Sequence, residues 1–365
     1  MRSWVLRIIF TLCALAPLLL ARHWSGAGPS LSRECMFYKK LADGKAWCQV
    51  CPRKCVIAQG KRGFCGVREN SGGKLNLVTY GKPCSLGLEP IEKAPFFHFH
   101  PGHKRMVLAT VGCNLQCRFC QNWSISQAVF EKVGHYELTP EQVVEAALKQ
   151  KAYSICFTFT EPIVFYEYMY DIAKLAHAKG LKTSMVSAGY INPEPLRELL
   201  KVMDAVKIDF KSFSDKFYQD MAAAELAPVL ETIKTVKASG RWLELVNLVI
   251  PGHNDDPKEL AAMCRWIKDN VGPDVPVHFT RFFPTYRLTN VPPTPVATLE
   301  GAYRIAKAEG LHYVYVGNVP GSVLENTVCP KCGKTLIVRK GYQVAEAHIK
   351  EGRCPFCGQA INGLW

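Results

Sequence analysis

The loop Cys113-Asn114-Leu115-Gln116-Cys117-Arg118-Phe119-Cys120 constrains this chain more than any other stretch, because its C-x3-C-x2-C spacing brings three thiolates to one small centre and supplies no fourth. A [4Fe-4S] cluster has four irons and usually takes four cysteines, so three ligands from one loop leave one iron open. The competing reading is a zinc loop or three unrelated cysteines. Zinc would ask for C-x2-C pairs with a fourth ligand nearby. Here an aromatic, Phe119, precedes the third cysteine, and the strand-like run Met106 to Val111 leads into the loop.

Sixteen cysteines in a secreted chain would suggest disulfides. Eleven of them instead fall into three short-spaced groups: the loop above, Cys48, Cys51, Cys55 and Cys65, and Cys329, Cys332, Cys354 and Cys357. Such spacing reads as metal binding, which places the chain in a reducing compartment. Cys329-Pro330-Lys331-Cys332-Gly333 and Cys354-Pro355-Phe356-Cys357-Gly358 are matched knuckles that predict a zinc ribbon, with Leu336 to Arg339 in its hairpin. Four thiolates leave no open coordination position, so that zinc is structural. The N-terminal set closes around zinc or around an auxiliary [4Fe-4S] cluster, and the turns at Pro52 and Gly63 tilt the reading slightly to zinc.

From Met106 onward, apolar and β-branched runs alternate with helical stretches. The runs are Val107 to Val111, Ser154 to Thr160, Lys182 to Ser187, Ala205 to Phe210, Leu243 to Ile250, Val277 to Phe283 and Tyr313 to Val316. Thr139-Pro140-Glu141-Gln142 reads as a capping box with a first-turn proline, and Asp256-Pro257-Lys258-Glu259 repeats the logic. At 365 residues this alternation predicts an α/β fold with a parallel sheet, open or curled into a barrel.

Several motifs turn this pattern into a resemblance. Gly112 to Leu115, Cys117, Phe119 to Trp123 and Ile125-Ser126-Gln127 closely resemble the radical SAM member of the AmmeMemoRadiSam system, a relative of pyruvate formate-lyase-activating enzymes. Further likeness lies in Tyr80-Gly81, Glu89 to Lys93, Thr160-Glu161-Pro162, Leu248 to Asn254 and Val314 to Asn318, so it extends over roughly residues 34 to 340. The resemblance implies a partial (β/α)6 barrel over residues 105–325, between a Cys-rich module (33–104) and the ribbon (326–365). It also implies a [4Fe-4S] cluster on Cys113, Cys117 and Cys120 whose open iron chelates S-adenosylmethionine (SAM). One electron from a donor such as flavodoxin or ferredoxin would then cleave SAM to a 5′-deoxyadenosyl radical, which abstracts hydrogen from an undetermined substrate. The alternatives are a glycyl-radical activase and a membrane-tethered metalloprotein scaffold. Memo-like and Amme-type proteins are the partners such a system implies.

In barrels of this kind the active groups gather at the carboxyl ends of the strands. There Thr160 and Glu161 occupy the place of the family's Gly-Gly-Glu-Pro motif, which holds the SAM amino group. A plain strand end with a helix-starting Pro162 would also fit. Ser187-Ala188-Gly189 stands where relatives carry a Thr-Asn-Gly-like turn, and Ala188 has no amide to offer. Asp209 and Lys211 resemble an Asp-Leu-Lys motif whose lysine contacts SAM; a surface ion pair is the alternative. Phe119 and His278 complete the candidate cofactor contacts, although a lone histidine is more often a structural hydrogen-bonding residue. His98, His100 and His103 suggest a solvated cover or a substrate contact before a metal site.

Lys and Arg number 45 against 31 Asp and Glu, a net charge of +14. No Arg-rich block is interleaved with aromatics, so a basic surface or an anionic membrane face is expected before nucleic acid. Within residues 1–32, Ile8 to Leu20 is an apolar run between Arg7 and Arg22, followed by a Gly/Ser/Pro linker. It lacks an obvious Ala-x-Ala cleavage site and reaches about 18 residues only if Trp4 to Ala21 are counted. The expectation is an anchor that keeps the enzyme on the cytoplasmic face, or a cytoplasmic protein if translation starts near Met36.

Overall fold

All seven apolar runs become parallel strands of one sheet. A computed structural model describes residues 31–365; the apolar segment Ile8 to Leu20 lies outside them. Among the described residues no helix is long and apolar enough to cross a membrane. The main sheet comprises β1 (Ser85–Pro90), β2 (Lys104–Ala109), β3 (Ser154–Phe157), β4 (Lys182–Ser187), β5 (Ala205–Asp209), β6 (Trp242–Val249), β7 (Val277–Arg281) and β8 (Val314–Gly317). Its spatial order is the chain order. Strands β2 to β8 are parallel, and β1 runs antiparallel to β2.

The crossovers carry α1 (Pro140–Lys149), α2 (Tyr166–Ala178), α3 (Pro193–Leu199), α4 (Leu226–Ala238), α5 (Pro257–Val271) and α6 (Val296–Ala308). The expected six β/α units are therefore joined by a seventh parallel strand and an antiparallel edge. β1 and β8 are both edges, so hydrogen bonds do not close the barrel. Period-two alternation nevertheless gives the sheet two distinct faces. Met106, Leu108, Ile155, Phe157, Val206, Ile208, Leu245 and Phe279 enter the main apolar core. Their alternate neighbours Arg105, Val186, Lys207, Val246, Leu248 and Thr280 line a single cleft, which requires the sheet to curl around it.

The Thr139 capping box forms as expected: its side chain accepts from Gln142 N while Gln142 reaches back to Thr139 N. At α5 the box is half made. Asp256 accepts from the amides of Lys258 and Glu259, but Glu259 turns away to accept from Ser212 Oγ and Phe213 N. A tertiary partner has replaced the local one.

Residues 32–365 form one unit, so the boundaries predicted near 104 and 325 mark changes of motif within one body. The N-terminal part is two small three-stranded sheets. It is docked by buried Arg68, whose Nη2 lies 3.0 and 2.8 Å from the two Glu167 oxygens on α2. At the other end Thr327–Val328, Thr335–Lys340 and Gln343–Ala347 form a third small sheet. Arg339 ties it to the barrel by donating to Phe97 O at 2.9 Å and lying 3.8 Å from the Phe97 ring centroid.

Candidate functional site

The three-cysteine loop leaves β2 through Gly112, whose φ of +107° an L side chain rarely adopts. A Cβ there would also lie 2.7 Å from Cys65 O. Three polar side chains then brace the loop. Asn114 Nδ2 donates to Tyr190 O at 2.8 Å, Gln127 Nε2 to Leu115 O at 3.0 Å, and Asn122 Nδ2 to Phe159 O at 2.8 Å. Held this way, Cys113, Cys117, Cys120 and Phe119 all line the cleft, which measures about 2000 Å³ counted to its open mouth.

The end of β3 brings Thr160 and Glu161 to the same cleft. Phe159, at the first glycine of the family motif, adopts φ +68°, a left-handed conformation that is uncommon for a bulky residue. Glu161 accepts from Ser187 Oγ at 2.7 Å, Ala188 N at 2.8 Å and Ile163 N at 3.3 Å. Burial raises its carboxyl while those donors pull the other way. Ala188 thus contributes through its backbone, which is why the missing amide does not break the turn. Ser187 stands behind Glu161 and does not itself line the cleft.

At the end of β5, Lys211 Nζ lies 3.4 Å from Asp209 Oδ2 and 5.9 Å from the Phe119 ring centroid. Burial works against its charge, and the Asp209 carboxylate beside it outweighs that and raises its pKa. Asn247 and Asn254, one on β6 and one in the loop after it, both donate to Lys211 O, at 3.1 and 2.7 Å. The polar residues of that stretch therefore position the lysine turn.

The histidine expectations need correction. His278 does not reach the cleft; it is buried one inward position below Thr280, with Nε2 2.8 Å from Glu244 Oε2. His98 is buried between Asn362 O and Tyr315 Oη, and His100 packs on Tyr153. Neither these two nor His103 lines the cleft. Glu244 organises this floor, accepting also from Phe97 N, His98 N and Trp242 Nε1 at 3.0, 2.9 and 3.0 Å. Burial opposes its ionisation, but the hydrogen bond from His278, with His98 and the Phe97 amide, holds its carboxyl down at about 2.

That depressed value has a stability consequence. The unfolded carboxyl takes up its proton near its ordinary pKa while the folded one stays ionised, so Glu244 contributes stability above that range and loses it as pH falls toward 2. The loss amounts to roughly 3 kcal/mol at about 1.4 kcal/mol per pKa unit. Urea unfolding between pH 5 and 2 is expected to show a shallower acid destabilisation in Glu244→Gln than in the wild type; parallel curves would remove this assignment.

The sequence reading missed a second set of cleft-lining residues, Arg105, Lys207, Glu92 and Glu325 together with Tyr342 at the C-terminal hairpin turn. Burial lowers Lys207 to about 7 and raises Glu325 to about 7. The signal for Lys207 was available: it precedes Asp209 by two positions on a strand and so shares its face.

The radical SAM superfamily family matches residues 107–264, which spans the cysteine loop, the Thr160-Glu161-Pro162 turn and Lys211. An uncharacterized protein of Methanocaldococcus jannaschii is 47% identical over 90% of this chain and 99% of its own. The chain belongs to the radical SAM superfamily. The pyruvate formate-lyase-activating enzyme of Clostridium pasteurianum is 26% identical over 45% of this chain and 70% of its own. A radical SAM methyltransferase structure from Sphaerobacter thermophilus aligns with TM-score 0.47 at 15% identity, covering 60% of this chain and 67% of that one. This radical SAM protein is accordingly an enzyme, and its family implies a [4Fe-4S] cluster and SAM. The donor set fits both. Three thiols from one loop line the cleft, and a buried carboxylate and a lysine line it with them.

A second metal-competent group lies in the C-terminal hairpin region. The sulfurs of Cys329, Cys332, Cys354 and Cys357 all lie within 4.8 Å of one another and could hold one ion.

Proposed function

We propose that this enzyme uses SAM bound at a cluster held by Cys113, Cys117 and Cys120 to abstract hydrogen from a polar substrate seated against Arg105 and Lys207 in the same cleft. The observation that carries it is the convergence of the three cysteines, Glu161 and Lys211 on one cavity that Arg105 and Lys207 also line. The bound cluster and SAM supply a 5′-deoxyadenosyl radical after one-electron reduction. Glu161, Thr160 and the strand-end backbone orient the SAM amino group, Lys211 pairs with its carboxylate, and Phe119 flanks it. Ser187 and Ala188 hold Glu161 in place. The curled sheet restricts water, and hydrogen abstraction asks for no general base.

The electron donor is of the flavodoxin or ferredoxin class. Membership of the AmmeMemoRadiSam system, with Memo-like and Amme-type partners, is supported by the motif likeness from Tyr80-Gly81 to Asn318. The cytoplasmic location is supported by the cysteine usage, and zinc in the C-terminal quartet by its tight sulfur spacing. A second reading, activation of a glycyl-radical enzyme, is favoured by the likeness to the Clostridium activating enzyme. Anaerobic reconstitution with iron, sulfide, SAM and a reductant is expected to yield 5′-deoxyadenosine. No product above a cluster-free control would defeat the proposal, and a glycyl radical raised on a partner protein would favour the second reading.

A further inference from the structure

Cys48, Cys51, Cys55 and Cys65 line a small hollow of their own, about 370 Å³ counted out to its open mouth, separate from the SAM cleft and lined also by Arg53, Arg68 and Asn114. Their spacing differs from that of the C-terminal quartet. Four thiolates around one zinc stand about 3.8 Å apart, given Zn–S bonds of about 2.3 Å. The C-terminal sulfurs meet that, with Cys329 to Cys357 at 3.6 Å and Cys332 to Cys354 at 3.7 Å. Among the described residues no other group of three or more candidate ligand atoms gathers within 4.8 Å. The N-terminal sulfurs share one hollow without drawing into such a tight group, and the same holds for Cys113, Cys117 and Cys120 in the cleft. Cysteines on the corners of an iron-sulfur cube are roughly 6 Å apart.

The surroundings suit a cube as well. Phe64 N donates to Cys55 Sγ at 3.5 Å. Donors to the sulfurs are one of the levers that set a cluster's potential. A Cβ on Gly63 would press on Ile57 Cδ1 at 3.1 Å and stand 3.6 Å from Cys55 Sγ, so a side chain there would crowd the rim. The hollow also touches the SAM-site loop. Asn114, covalently next to Cys113, lines the hollow, its backbone oxygen accepts from Arg53 Nε at 3.0 Å, and Gly112 is packed against Cys65 O.

We propose that Cys48, Cys51, Cys55 and Cys65 ligate a second [4Fe-4S] cluster that passes electrons to the SAM-binding one. Its electron-transfer role rests on the radical SAM reading above; its ligand assignment does not. One electron from a ferredoxin- or flavodoxin-class donor takes the second cluster from the 2+ to the 1+ state. Transfer returns it to 2+ and takes the SAM-site cluster from 2+ to 1+, with no proton moved.

The test uses full-length protein purified without oxygen, with iron, sulfide and zinc analysis and electron paramagnetic resonance with and without SAM. The wild type is expected to hold about eight irons and one zinc. A variant with Cys113, Cys117 and Cys120 all changed to Ala should keep about four irons, with a signal that SAM does not alter. Changing Cys48, Cys51, Cys55 and Cys65 to Ala should keep the SAM-sensitive signal under dithionite yet slow its reduction by flavodoxin about tenfold or more, as loss of a relay centre would. About four irons with two zincs in the wild type, and none left in the triple variant, would overturn the assignment. Unchanged flavodoxin reduction would overturn the relay. A SAM-insensitive wild type whose iron survives in the triple variant would instead sink the radical SAM reading while supporting these four ligands, so the two failures are distinguishable.

Discussion

Replacing Cys113, Cys117 and Cys120 with alanine is expected to abolish 5′-deoxyadenosine formation and every SAM-dependent change in the paramagnetic spectrum. The effect should be complete because nothing else in the cleft can take the place of the thiols. Among the cleft-lining residues these are the only cysteines, and cysteine thiolates are what ordinarily hold an iron-sulfur cube. The fold should survive, since the loop is held by Asn114, Asn122 and Gln127 and not by the cysteines themselves. Circular dichroism and zinc content are therefore expected to stay at wild-type values while product formation falls to background. Retention of a SAM-shifted signal in this variant would remove the central assignment.

The parts of this structure that were legible in the sequence are those that depend on local chemistry. Cysteine spacing identified the loop, and apolar, β-branched runs marked all seven parallel strands because strands of a parallel sheet covered on its faces are rich in such residues. β1 escaped because Ser85–Pro90 is half-buried throughout and carries Gly87 and Pro90, residues that weaken a strand signal and suit an edge. Pairing was less accessible than periodicity. The expectation for His278 failed because alternation tells which face a residue takes and not how deep it lies; the partner that claims it, Glu244, is 34 residues away. Glu259 shows the same limit, since a local cap was outcompeted by Ser212 and Phe213. The clamp of Asn247 and Asn254 on Lys211 O joins residues more than 30 apart, so only the folded chain reveals it.

If the C-terminal quartet holds zinc as proposed, removing that ion is expected to cost this region most of its folding free energy, of order 10 kcal/mol for small zinc modules. The consequence should reach the cleft. The hairpin Thr335–Lys340 and Gln343–Ala347 carries Gly341 and Tyr342 to the cleft wall, while Arg339 donates to Phe97 O, Glu325 O and Thr327 Oγ1. The chain end pairs with the same floor through Leu364 N to His98 O at 2.8 Å. The cluster loop shares none of these bonds; it is braced by Tyr190, Phe159 and its own Gln127, by Ala222, Met221 and Arg287 through the backbone, and by Arg53. Cys329→Ser should therefore lose zinc and thermal stability and leave the SAM-sensitive spectrum in place. It should also uncouple the two halves of the cleft, so that 5′-deoxyadenosine still forms while its dependence on substrate disappears. Tyr342→Ala, which keeps the metal, should reproduce the uncoupling without the stability loss. Unchanged zinc stoichiometry in Cys329→Ser would refute the four-thiolate site, and loss of the SAM-sensitive spectrum would show that the hairpin supports the cluster loop after all.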